Sequence, residues 1–140
     1  MKKVLLDTNI ILDIALKRKP HFTSAFRLFA LIDQGVIEAF VTGSSITDLF
    51  YIVRRDLGSN LARNFLIELV EVVPVIGVDH SIIVSALNSE IKDFEDAVQV
   101  FSAISSDINT IITRNKKDFA NTHLTILTPD EFLSLPDMNA

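Results

Sequence analysis

Almost at its start the chain runs Val4-Leu5-Leu6 straight into Asp7-Thr8-Asn9, and a second apolar stretch, Ile10 to Leu16, follows at once. A short unbroken apolar run without polar alternation fits a strand buried on both faces, as in a parallel sheet covered by helices. The carboxyl end of such a strand faces the crevice where open α/β sheets bind ligands. Asp7 is therefore expected to be presented there rather than hidden. The Thr8 hydroxyl and Asn9 amide stand beside it, and a helix leaves the same turn.

The rest of the chain repeats this alternation. Phe22 to Asp33 places Phe22, Ala25, Phe26, Phe29 and Ile32 at helical spacing, ended by Gly35. Ile37 to Thr42 reads as a second strand, after which a serine of Gly43-Ser44-Ser45 caps a helix over Ile46 to Leu57. Ser59 or Asn60 caps the next, with Leu61, Phe65, Leu66, Leu69 and Val70 inward. Val72 to Val78 then reads as a β-branched strand that Pro74 assigns to a sheet edge or strand entry. Asp79 caps a helix from His80 to Ser89, and another from near Asp93 turns Ala97, Val100, Phe101 and Ile104 inward. Thr110 to Thr113 is a brief buried strand. A loop over Arg114 to Asn121, a small strand Leu124 to Leu127 and a helix after Pro129, with Thr128 or Asp130 near its start, complete the order. This order predicts an α/β fold, a sandwich on a mainly parallel sheet.

Composition narrows the chemistry. At 140 residues and 49% hydrophobic, without a Pro/Gly-rich linker, the chain fits one domain over residues 1–140. The absence of cysteine excludes disulfides, thiolate metal sites and cysteine nucleophiles, and His21, His80 and His123 lack zinc-ligand spacing. Charged residues interrupt every apolar stretch well before the roughly 18 to 20 residues of a membrane span. Asp7 likewise interrupts what would be the apolar region of a signal peptide. A cytoplasmic protein with no membrane association is expected. The net charge of -5 argues against a general nucleic-acid binder with a basic face. Cations nevertheless cluster at Lys17-Arg18-Lys19, Arg54-Arg55 and Arg114 with Lys116-Lys117, and a metal site built of acids is partly neutralised by its own ions.

With parallel strands, the ends of the first, second and 110–113 strands open on one edge. Asp7, Asp48 in the first turn of the helix after Ser45, and Asp96 early in its helix point to that edge, with Asn115 and Asp118 in the loop beyond. Asp93, three residues before Asp96, shares its face. Carboxylates gathered in low dielectric raise one another's pKa values unless a cation intervenes. Oxygen donors without His or Cys favour Mg²⁺ or Mn²⁺. The matching chemistry is phosphodiester hydrolysis, in which one ion activates water and a second, roughly 4 Å away, stabilises the leaving oxygen. Each residue also has a purely structural explanation. Asp48 and Asp93 can complement a helix N-terminus, worth about 0.3 to 1 kcal/mol. Asp96 can be a solvated helix residue, Asp118 a loop or cap residue, and Thr8 and Thr113 can satisfy local backbone groups.

The pieces in order are hydrophobic-Asp7-Thr8-Asn9-hydrophobic, Ser45-x-x-Asp48, Asp93-x-x-Asp96-Ala97, Thr113-Arg114-Asn115-Lys116-Lys117-Asp118-Phe119 and the closing Leu127-Thr128-Pro129-Asp130-Glu131-Phe132. Over residues 2 to about 133 this order resembles the PIN domain family. The resemblance sharpens the fold to a three-layer α/β/α sandwich and implies a metal-dependent ribonuclease that binds one or two Mg²⁺ or Mn²⁺ ions. For small bacterial or archaeal members it implies the toxin of a VapC-type toxin–antitoxin pair. Asp7 and Asp96 match the most characteristic acidic positions, and Asp48 completes the catalytic set. Two departures stand out. The mid-chain acid is usually glutamate, so the shorter Asp48 would reach an ion through water. The last acidic position falls on neutral Asn115, with Asp118 as a substitute ligand three residues later.

Thr8, Asn9, Asp93 and Thr113 are expected to support the ligands, and Lys17, Arg18, Arg54, Arg114 or Lys116 to hold the RNA backbone. A cognate antitoxin would lay an apolar or basic segment over the acids, and Phe50-Tyr51-Ile52-Val53 favours a homodimer. The alternative from another class is a PIN-like module that binds RNA or protein without cleavage, which the Asp48 and Asn115 departures support. A phosphate-accepting receiver domain wants paired acids after the first strand and a lysine after the last. A haloacid-dehalogenase-type phosphatase wants a second Asp where Asn9 stands.

Overall fold

The computed structural model describes residues 2–120 and 122–138. β1 (Lys2–Leu6) lies between β2 (Ile37–Thr42) and β4 (Thr110–Ile112), while β3 (Val75–Ile76) and β5 (Thr125–Leu127) form the edges. The order β3-β2-β1-β4-β5 is parallel at every pairing. Successive side chains on a strand point to opposite faces, which makes the apolar run of β1 serve two cores. Val4 and Leu6 pack with Ile10, Leu28, Leu49, Leu69 and Phe132, from α1 (Thr8–Ala15), α2 (Phe22–Asp33), α3 (Gly43–Leu57), α4 (Ser59–Val72) and α7 (Pro129–Leu133). Leu5 packs on the other face with Ile82, Val100 and Ala103, from α5 (His80–Leu87) and α6 (Phe94–Ser105). The result is the expected α/β/α sandwich. Among the described residues no helix is long and apolar enough to cross a membrane.

Several local expectations change. α3 begins at Gly43 rather than Ile46, because Thr42 is its cap and accepts a hydrogen bond from the Ser45 backbone N–H at 3.2 Å. The earlier start puts Asp48 in the second turn. Neither Ser59 nor Asn60 caps α4: Gly58 takes that position with φ 92, and no side chain caps the helix. The expected strand from Val72 shrinks to two residues because α4 runs on to Val72 and the Val73 N–H still bonds to the Leu69 carbonyl at 2.8 Å. Pro74 does stand at a sheet edge, where its carbonyl accepts from the Val41 N–H at 3.1 Å.

Asp79 caps α5 through the Ile82 N–H at 2.9 Å, and Thr128 with Glu131 forms a capping box on α7. Phe26, Leu61, Val70 and Ile104, expected inward, are exposed, so the apolar stripes of their helices are narrower than their sequence patterns. In the segment thought to favour a dimer, Val53 is core and only Tyr51 is well exposed. Asn121, the end of the expected loop, lies outside the described residues.

An ion pair ties the sheet's centre to the chain beyond β4. Asp13 on α1 is 1% exposed, and the Arg114 guanidinium clamps it with two hydrogen bonds, Nε to Oδ2 at 2.8 Å and Nη2 to Oδ1 at 3.2 Å. Removing one partner leaves a buried charge without its counterion, which typically costs roughly 3 to 5 kcal/mol. Arg114→Ala should fall near the lower end, about 3 kcal/mol, because the guanidinium keeps some solvent contact. Urea melts should show a lower midpoint for Arg114→Ala, partly restored in Asp13→Asn/Arg114→Ala. An unchanged midpoint would mean that water compensates Asp13.

Candidate functional site

From β1 the chain moves outward through β2 to β3, then crosses back to lay β4 on the other side of β1. The ends of β1 and β4 thus flank the point where strand order reverses, the usual crevice of an open parallel sheet. The Asp7 N–H donates to the Ile112 carbonyl at 3.0 Å, which brings Asp7 and Thr113 out side by side. Asp7 sits at the N-cap position of α1 with an extended backbone, yet its carboxylate caps nothing. Thr113 Oγ1 donates to its Oδ2 at 2.7 Å and Gln99 Nε2 to its Oδ1 at 3.0 Å. At 6% exposure Asp7 is held far more closely than its place after a strand suggested.

A hollow of about 400 Å³ opens over this carboxylate, lined by Asp7, Asp48, Asp93, Glu95, Asp96 and Asp118. Thr8, Asn9 and Asn115 also border it, as do the apolar Leu12 and Ile52. The expected acids and Asn115 therefore meet in one cleft. Asp93 also caps α6, its Oδ1 accepting the Asp96 N–H at 2.9 Å. Asn115 begins the 3-10 turn Lys116–Phe119 that carries Asp118, and its N–H donates to Thr113 Oγ1 at 3.0 Å. One hydroxyl thus serves both Asp7 and the Asn115 loop.

Burial pushes the Asp96 carboxyl up from 3.8 to about 7, aided by the negative charges of Asp93, Asp7, Asp118 and Glu95. Glu95 rises from 4.5 to about 7, first through burial and then through its hydrogen bond with Asp48 and the charges of Asp48, Asp93 and Asp7. Thr8 Oγ1 donates to Ser45 Oγ at 2.7 Å and approaches Glu95 Oε1 at a long 3.4 Å.

Sequence reasoning missed Glu95 and Gln99. The run Asp93-Phe94-Glu95-Asp96 signals the first, an acid next to one already singled out. Gln99 is a buried polar residue among Ala97, Val98 and Val100, so a polar interruption on an inward helical face was the available signal.

Among the described residues, four of the five cations expected on RNA, all but Lys17, have other partners. Arg114 is committed to Asp13, and Lys116 lies 3.0 Å from Glu131. The Glu131 carboxyl is held below its ordinary range, first by the Thr128 backbone N–H and then by Lys116. Arg54 stacks over the Tyr51 ring at 5.1 Å, and Arg18 reaches Asn9 Oδ1 at 3.4 Å. Among the described residues no cation lines the cleft.

The donors facing the cleft are carboxylate, amide and hydroxyl oxygens, a set whose chemistry fits a hard divalent cation. Burial and the neighbouring carboxylates raise the carboxyls of two of the acids, Glu95 and Asp96, to about 7. Among the described residues no three acidic or histidine side chains already close a coordination shell, and Mg²⁺ commonly takes one or two carboxylates and completes its shell with water.

A family model described as PIN domain matches residues 3–117. The chain belongs to the PIN domain family. This PIN domain is 22% identical over 136 residues to ribonuclease VapC1 of Aquifex aeolicus (strain VF5), covering 94% of this chain and 93% of that protein. Its fold is similar to that of VapBC2 from Rickettsia felis, solved bound to a promoter DNA fragment, with TM-score 0.68, 16% identity, and coverage of 90% and 98% of the two chains. It is also similar to Mycobacterium tuberculosis VapC20, a sarcin-ricin-loop-cleaving toxin, with TM-score 0.67, 16% identity and coverage of 84% and 95%.

The raised acids make stability depend on pH. Carboxyls with folded pKa values of about 7 and ordinary values of 3.8 and 4.5 bind more protons folded than unfolded between those limits. Their contribution is therefore complete below about pH 4 and lost as pH rises through about 7. In chelator, Asp96→Asn should flatten this part of the melting-temperature profile. Parallel profiles for the variant and the parent would show that Asp96 is not under such strain.

Proposed function

We propose that this PIN domain is an endoribonuclease that hydrolyses RNA phosphodiester bonds with one or two Mg²⁺ or Mn²⁺ ions, and that it is the toxin of a toxin–antitoxin pair. The observation that carries this reading is the convergence of six acids on one crevice free of cations among the described residues. The likeness to ribonuclease VapC1 and to the toxin VapC20 supports the same activity. Relatives solved as VapBC assemblies support an antitoxin partner. A single-domain cytoplasmic protein, with a homodimer as its assembly, goes with this reading.

Asp7 and Asp96 are the principal candidate ligands, with Asp48, Asp118 and Asn115 around them. A bound ion there supplies an activated water and offsets charge on the leaving oxygen. The chain's own contribution is orientation: Thr113 and Gln99 fix both oxygens of Asp7, and Thr113 also holds the Asn115 backbone. Glu95 on α6 is hydrogen-bonded to Asp48 and adds a carboxyl one methylene longer beside it. This addition favours an enzyme over a module that only binds.

Cleavage of structured and single-stranded RNA should appear with Mn²⁺ and vanish with chelator. Losing an outer support of a metal ligand typically costs roughly 10 to 100-fold. Gln99→Leu and Thr113→Val should fall in that range, and Asp7→Asn and Asp96→Asn should lose more. Equal rates for wild type and both aspartate variants would defeat the site. Metal binding without cleavage of any RNA would instead favour the binding module. Separately, Mn²⁺ should raise the melting temperature of the wild type and not of Asp96→Asn, since a ligand stabilises only the state that binds it.

A further inference from the structure

A second hollow of about 260 Å³ adjoins the acidic cleft and shares Asp93 and Asp118 with it. Its other borders are Ile91, Lys92, Lys117 and Ala120. We propose that this hollow is a backbone subsite for the RNA strand, in which Lys92 and Lys117 hold the phosphate of a nucleotide next to the one being cut. The proposal rests on the ribonuclease reading and names where that substrate runs beyond the acids.

The argument begins with charge. RNA brings a negative phosphate with each nucleotide, and backbone affinity comes chiefly from Lys and Arg contacts. The cleft itself offers six acids and no cation among the described residues, so a strand crossing it needs positive charge close by. Lys92 and Lys117 are the cations bordering either hollow. Both are exposed, and neither is among the described ion pairs, unlike Arg114, Lys116 and Arg55.

Their placement also differs from that of ordinary solvated lysines. Each stands on one of the two segments that frame the shared boundary: Lys92 immediately precedes the α6 cap Asp93, and Lys117 immediately precedes Asp118 in the 3-10 turn. A phosphate between them would be approached from both sides by ammonium groups, each with three donors and no acceptor. Ile91 is 8% exposed and gives the hollow an apolar border. The volume lies just below the roughly 300 to 1,000 Å³ of sites that enclose a whole drug-sized ligand, which suits part of one nucleotide.

The test compares wild type, Lys92→Gln, Lys117→Gln, the double variant and the double arginine variant, with Arg27→Gln as an exposed control that borders neither hollow. The probe is a short mixed-sequence single-stranded RNA, cleaved with Mn²⁺ over a range of salt. The double glutamine variant should raise KM roughly ten-fold at low salt with kcat retained, and should flatten the salt dependence by roughly 0.7 in log–log slope per lysine. The arginine pair should restore both, and melting temperatures should match wild type. If wild type cuts and the double glutamine variant keeps its KM and salt slope, the subsite is overturned while the ribonuclease reading stands. If wild type neither cuts nor binds this probe or a structured RNA, both are overturned.

Discussion

β1 lies between β2 and β4 with its apolar side chains buried on both faces, and its parallel pairing with β4 decides where Asp7 can go. The Asp7 N–H completes that pairing through the Ile112 carbonyl, so the carboxylate is delivered beside Thr113 by the sheet itself. A loop would leave such a position loosely defined. Here the same hydrogen-bonded ladder that closes the core sets the spacing of the site, and the Asp13–Arg114 pair braces α1 against the segment that follows.

The concentration of acids around Asp7 runs against stability. Burial and mutual repulsion raise two carboxyls to about 7, which the fold must offset elsewhere. The offset lies in the two cores, where Leu5, Leu6, Ile11, Ile111 and Ile112 are fully buried. A local departure from the rule that like charges stay apart marks a position whose residues are not chosen for folding alone.

Features written locally were legible in the sequence. Asp79, Asp93 and Thr128 announce their helices through side chains that reach backbone groups three residues ahead. Asp7, Asp48, Asp96, Asn115 and Asp118 could be singled out because parallel strands bring their segments to one edge and the order of their motifs resembles the PIN family. What stayed hidden depends on distant contacts. The role of Gln99 exists only because Asp7, 92 residues earlier in sequence, lies against α6. Arg114 and Lys116 looked like free cations until Asp13 and Glu131 were seen beside them. Val72 was read as strand from its β-branched neighbourhood, yet the hydrogen bonds and packing of α4 carry it into the helix.

The two donors that orient Asp7 have a consequence for how the chain comes into being. Gln99 and Thr113 stand 92 and 106 residues after it, so the acid is made first and its partners last. Synthesis proceeds at roughly 5 to 20 residues per second, which leaves Asp7 unpartnered for several seconds or more on every chain. A fragment that ends before Gln99 has the first carboxylate and β1 to β3, but neither of the two donors that fix its oxygens. In such a fragment the sheet alone presents the acid, and the pairing of Asp7 with α6 and with the end of β4 waits for the later chain.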